Sequence, residues 1–182
     1  TLDRSSAASD VYKRQQLSYY LIRYKSYRAW FHSLMIGLSL VILVFLLGLA
    51  LLASLLGLVK GYQFSYQVKM DTVNLSALEL VVHFLLNGSL QLLNYGLLLL
   101  VVTWLVQDAI YGLLGLGIFM VLMLPNINMG QVLPMGLNSF GLLDKVSLLG
   151  LTFRLVLYLI LEYGLIRLLL KQFNSGLVRL KR

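Results

Sequence analysis

Apolar residues fall along this chain in four long runs, separated by polar stretches or stretches broken by glycine and proline, and that alternation predicts its elements. Leu34 to Val59 contains no charged residue. A bilayer core about 30 Å thick needs roughly 20 apolar residues at 1.5 Å rise each, so the run is long enough to span it, and the first expected span covers about 31–59. Residues 77–106, 109–124 and 147–170 give three more. The third reaches only about 24 Å, so it must borrow neighbouring residues or be shielded by protein. Lys60 to Ser76 is polar, aromatic at Tyr62, Phe64 and Tyr66, and partly alternating, which predicts an outer loop with a strand-like tendency. Only Gln107 and Asp108 join the second run to the third, which forces a tight antiparallel hairpin. Pro125 to Ser147 is interrupted by Gly130, Pro134, Gly136 and Gly141 yet keeps Val132, Leu133, Met135, Leu137 and Phe140. Non-helical backbone at membrane depth is tolerated only where protein covers it or it lines a cavity. The segment is therefore expected either to dip into the outer leaflet as short re-entrant helices or to rest on the headgroups as an interfacial loop.

Charge gives this pattern a direction. Arg23, Lys25 and Arg28, interleaved with Tyr24, Tyr27 and Trp30, precede the first span, and Lys171 to Arg182 forms a basic tail after the last. Lysine and arginine beside a span collect on the cytoplasmic side, with aromatic residues at the water boundary. The basic end of the first span and both termini are accordingly expected inside the cell, and Gln15 to Ser33 suits a short helix lying on the membrane surface. Composition agrees: 182 residues, 59% hydrophobic and 12% charged, with a mean hydropathy of +0.84, are too apolar for an ordinary water-soluble domain. The net charge of +8 sits mostly in the two flanks, so no nucleic-acid partner is expected. The fold class is an all-α membrane protein: four transmembrane helices, an N-terminal interfacial helix, and a re-entrant or interfacial segment before the last span. The expected setting is the lipid bilayer of the cell membrane, crossed more than once.

The first fourteen residues, TLDRSSAASDVYKR, share neither composition nor periodicity with the rest. They resemble an adapter-derived translation scar and are expected to be disordered; a natural polar tail is the alternative. On the scar reading the transmembrane domain is 15–182 and the chain is a C-terminal fragment.

Polar positions inside the runs are where chemistry could sit. Glu79, His83, Asn87, Gln91 and Asn94 recur at steps of four, four, four and three, which places them on one helical face. Such a stripe avoids lipid, either as interhelical hydrogen-bond glue or as the lining of a wet pathway. In the last run Arg154 and Glu162 share a face with Tyr158. Each costs about 2.5 to 3.5 kcal/mol facing lipid, and they lie about 12 Å apart, too far to pair directly. Each therefore calls for a partner elsewhere, for assembly or as part of a substrate path. Cysteine is absent, which excludes disulfides, zinc–thiolate sites and a cysteine nucleophile. No HExxH, GxSxG or P-loop motif occurs. Gly112, Gly115 and Gly117 lack the lysine of a phosphate loop and read as close helix packing. No metal site and no catalytic residue are expected.

The order of features from Gln15 onward resembles one family. RYKSYRAW before a long span, two spans joined by QD, the broken LPNINMGQVLPMGLNSF, and the closing LVLYLILEYGLIRLLLKQF resemble the membrane subunit of an ABC-2-type exporter of the Gram-positive bacteriocin and lantibiotic kind. The resemblance implies that these spans are the third to sixth of six, with Arg23, Tyr24, Lys25 and Arg28 on a coupling helix that docks on a separate ATPase. It also implies a second permease subunit, identical or not, no cofactor on this chain, and ATP bound by the partner. The substrate class implied is peptide antibiotics or related hydrophobic molecules, for export or self-protection. Two alternatives stand beside it. One is a non-transporting membrane scaffold. The other is an intramembrane protease of the CAAX-processing type, suggested by the ExxxH and HxxxN spacings of Glu79, His83 and Asn87, although that family's double-glutamate motif is missing here.

Overall fold

The computed structural model of the chain describes residues 26–63, 65–70, 73–106, 108–122, 124, 127 and 146–180. Helix α1 spans Tyr27–Val59. Ser26 starts it, its Oγ accepting from the Ala29 amide at 3.1 Å, an N-cap that satisfies one of the first-turn donors. From there α1 runs unbroken through Trp30 into the apolar run, so the described end of the basic stretch continues the long helix instead of forming one of its own. Arg23, Tyr24 and Lys25 lie outside the described residues. At 33 residues α1 is about 50 Å long, more than the hydrocarbon thickness. It ends in a Schellman motif: Tyr62 N–H donates to the Gly57 carbonyl and Gly61 N–H to that of Leu58. Gly61 takes φ 78°, the left-handed conformation that glycine adopts without a Cβ penalty.

The polar stretch that follows is a β-hairpin. Strand β1 (Gln67–Met70) pairs antiparallel with β2 (Val73–Ser76), in the register Gln67 opposite Ser76 and Met70 opposite Val73. The next apolar run comprises α2 (Ala77–Val82), a π-helical turn (His83–Asn87) and α3 (Gly88–Val106). Helix α4 (Ala109–Leu122) follows at once, with the Asp108 carboxylate accepting from the Ile110 amide at 2.8 Å. Helix α5 (Leu148–Leu180) closes the chain, capped by Ser147, whose Oγ accepts from Gly150 N–H at 3.2 Å. It continues through Lys171 to Leu180, so the stretch expected as a basic tail after a span ending near 170 is, as far as it is described, part of the same helix. Of the segment expected to be re-entrant or interfacial, 125–147, all but 127, 146 and 147 lies outside the described residues.

Among the described residues two helical stretches are long and apolar enough to cross a membrane, Arg28–Val59 and Ala77–Thr103. Helix α4, at 14 residues, reaches about 21 Å. The chain divides into two compact units. One comprises the described residues up to Leu38 together with those from Arg167 on, and within it Phe31 and Leu170 are buried. The other is Ser39–Ile166. Within this second unit α3 is central. One face meets α5 through Leu90, which packs on the fully buried Leu151 and Leu155. Another face meets α4, where Tyr95, Leu98 and Leu99 surround Leu116. Leu46 of α1 lies over Gly88, 3.5 Å from where a Cβ would stand.

Candidate functional site: a buried polar ladder

The polar stripe separates into two parts. Glu79 is exposed and belongs to a helix start: Ser76 Oγ accepts from Glu79 N–H at 3.2 Å, and Glu79 Oε2 accepts from Ser76 N–H at 2.8 Å. That capping box satisfies two otherwise orphaned donors, and its carboxylate lies at the positive end of the helix dipole. His83, Asn87, Gln91 and Asn94 are all at most 2% exposed. They form a ladder along the π turn and α3, buried in a chain whose lipid-sized runs otherwise show apolar side chains to the outside.

Four hydrogen bonds set its geometry. Asn87 Nδ2 donates to His83 Nδ1 at 3.0 Å, one step along the same helix. Thr152 Oγ1 of α5 donates across to Asn87 Oδ1 at 2.7 Å. Asn94 Nδ2 donates to the carbonyl oxygens of Leu90, at 2.7 Å, and of Leu155 on α5, at 3.3 Å. The ladder thus ties α5 at two levels about one helical turn apart, and Leu151 and Leu155 fill the space between with apolar contact. An amide group in such a place cannot exchange its bonds for water, so each tie fixes the register of the two helices. The π turn, in which Gly88 N–H reaches back to the His83 carbonyl, sits at the upper tie. Such turns are rare and concentrate at functional positions. Asn94 Oδ1 is buried without a hydrogen-bond partner among the described residues.

No known protein family, curated protein or solved structure matches the chain. What the ladder can do is therefore read from its own chemistry. Its members are one imidazole, three amides and one hydroxyl, a set that donates and accepts but holds no carboxylate. Among the described residues no three His, Cys, Asp or Glu side chains cluster as metal ligands would. Arg154 and Glu162 are each half-buried on α5, and Glu162 Oε2 is buried without a hydrogen-bond partner among the described residues. Arg28 is exposed at the start of α1. An open cleft of about 260 Å³, lined by Ala53, Ser54, Gly57, Leu58, Tyr62 and Gln63, contains no member of the ladder.

Two participants escape a reading of the stripe alone. Thr152 carries no signal in sequence, because a threonine inside an apolar helix ordinarily bonds its own preceding carbonyl. Ser76 does carry one: SALE, a serine followed three residues later by glutamate before an apolar run, is the capping-box signature.

Proposed function

We propose that the chain is a multi-pass membrane protein that crosses the bilayer four times with both termini in the cytoplasm, and that it serves as the transmembrane subunit of an ATP-driven exporter of the ABC-2 type. The observation that carries the membrane part is the girth of α1. Leu40, Val41, Val44, Phe45, Leu51, Leu52 and Leu55 are all more than half exposed, on more than one side of the helix. Water does not tolerate so continuous an apolar surface, and lipid does. The burial of His83, Asn87, Gln91 and Asn94 between helices supports the same reading, since polar side chains at membrane depth turn inward.

The exporter part is supported by the order of elements and by the basic stretch leading into the start of α1. Arg23, Tyr24, Lys25 and Arg28 present cationic and aromatic groups of the kind that dock on a cytoplasmic partner, and the chain holds no phosphate-binding loop, so ATP hydrolysis is assigned to that partner. Closing of two ATPase chains on nucleotide would be passed through this stretch to two membrane subunits and expose a path for a hydrophobic peptide. Purification of the full chain from its native membranes is expected to co-isolate a nucleotide-hydrolysing chain, and R23E with R28E to lower its recovery about tenfold, the effect of roughly 1.4 kcal/mol at an interface. Unchanged ATPase recovery in the double variant contradicts the docking role. Peptide cleavage by the isolated chain favours the protease reading instead.

A further inference from the structure

Asn87 is held on both sides by groups whose hydrogen-bonding sense can reverse. Its Nδ2 donates to His83 Nδ1, and its Oδ1 accepts from Thr152 Oγ1. An amide nitrogen only donates, so Nδ1 carries no proton in this arrangement and a neutral ring holds its proton on Nε2. Thr152 Oγ1 also lies 3.0 Å from the Leu148 carbonyl oxygen, one turn back on α5, which offers its hydroxyl hydrogen a second acceptor. Turn the Asn87 amide by half a rotation, and Oδ1 faces Nδ1 while Nδ2 faces Thr152 Oγ1. The hydroxyl now accepts from the amide and donates to Leu148. Nδ1 must bring a hydrogen to Oδ1, and with Nε2 still protonated the ring is then an imidazolium. Each of these bonded atoms keeps a partner in both arrangements, and the two differ by one proton.

We infer that His83, Asn87 and Thr152 form a proton-binding site, in which uptake of one proton on His83 Nδ1 is accommodated by a half-turn of the Asn87 amide while the tie between the π turn and α5 is kept. The proton is given by a hydronium ion from the bulk: its O–H bond breaks and leaves water, an N–H bond forms on the Nδ1 lone pair, no other covalent bond changes, and the charge of the site rises by one. Burial makes the bond inventory decisive, because His83 is 2% and Asn87 1% exposed and solvent is not there to replace a lost partner. The elements around it bring few charges. Glu79 lies one turn earlier and is engaged by Ser76, β1 brings Lys69, α5 brings Arg154 and then Tyr158, and Ser39–Val59 of α1 brings no titratable group. The site goes beyond the exporter reading and stands or falls apart from it.

The test is nitrogen NMR of the ¹⁵N-labelled full chain in micelles, with His32→Gln leaving a single imidazole, followed from about pH 8 to about pH 5. The expected result is the Nε2–H tautomer at the alkaline end and one protonation event, with the Asn87 side-chain amide moving at the same midpoint. Thr152→Val removes the acceptor for the turned amide and is expected to weaken proton binding about tenfold, with Thr152→Ser restoring it. An Nδ1–H tautomer at the alkaline end, an Asn87 amide that does not follow the titration, or an unchanged midpoint in Thr152→Val overturns the inference. The first two readouts need no altered ladder residue, so a misfolded variant leaves the test intact.

Discussion

Gly112→Val is expected to destabilise the hairpin of α3 and α4 by about 2 kcal/mol, the usual scale for forcing extra carbon into a packed contact. A Cβ at Gly112 would overlap Thr103 Oγ1 and stand 3.3 Å from Thr103 Cα. The hydroxyl can rotate away, but the backbone atom cannot, so the helices must part. Valine gains a few tenths of a kcal/mol in helix propensity over glycine, too little to offset the clash. Gly117 is the control: nothing lies within 4 Å of its Cβ position, and Gly117→Val should change stability by no more than about 0.5 kcal/mol. Reversible unfolding in mixed micelles reads both. Thr103→Ala in the Gly112→Val background should recover part of the loss, because the two residues share one contact and their effects are not additive.

Asn87→Leu is the second large effect, at about 1 to 2 kcal/mol by the same measurement. Two terms compete. Interhelical hydrogen bonds in membranes contribute about 0.6 kcal/mol on average, which would make the loss minor. Asn87 also supplies the donor that His83 Nδ1 uses in a place closed to water, and an acceptor deprived of its donor there costs about 1 to 3 kcal/mol. The second term decides the magnitude. Thr152→Val should cost about as much, roughly 1 to 2 kcal/mol, since it leaves Asn87 Oδ1, an acceptor equally closed to water, without its donor. Losses of no more than about 0.6 kcal/mol in both variants would mean that only the average interhelical bond is lost and that neither buried acceptor is left short.

Much of this arrangement is visible in the sequence, for reasons that differ by element. The spacing of His83, Asn87, Gln91 and Asn94 gives their common face directly, because helical periodicity is a local property. The same periodicity sweeps in Glu79, and only the capping signature SALE separates it. The partner across the gap is a tertiary fact: nothing around Thr152 or Leu155 distinguishes them from their neighbours. Gly112 is legible as a close-packing residue, yet its partner Thr103 follows only once Asp108 fixes the hairpin register. The helical continuation of α5 past Lys171 runs against a reading by charge. KQFNSGLVRL is polar enough to pass for a tail, yet its lysine, leucine and arginine are good helix formers, and a single glycine costs only about 1 kcal/mol. Charge decides where a segment lies relative to lipid; propensity decides whether it coils.

The central claim is that α1 crosses a bilayer with its basic end in the cytoplasm. The chain has no cysteine, so single introduced thiols report without background. Ala29→Cys and Gln63→Cys place one at each end of α1, both at exposed positions. In intact cells a membrane-impermeant maleimide should label position 63 and leave position 29 untouched until the membrane is permeabilised. Labelling of both from the same side, or of position 29 alone in intact cells, contradicts the account.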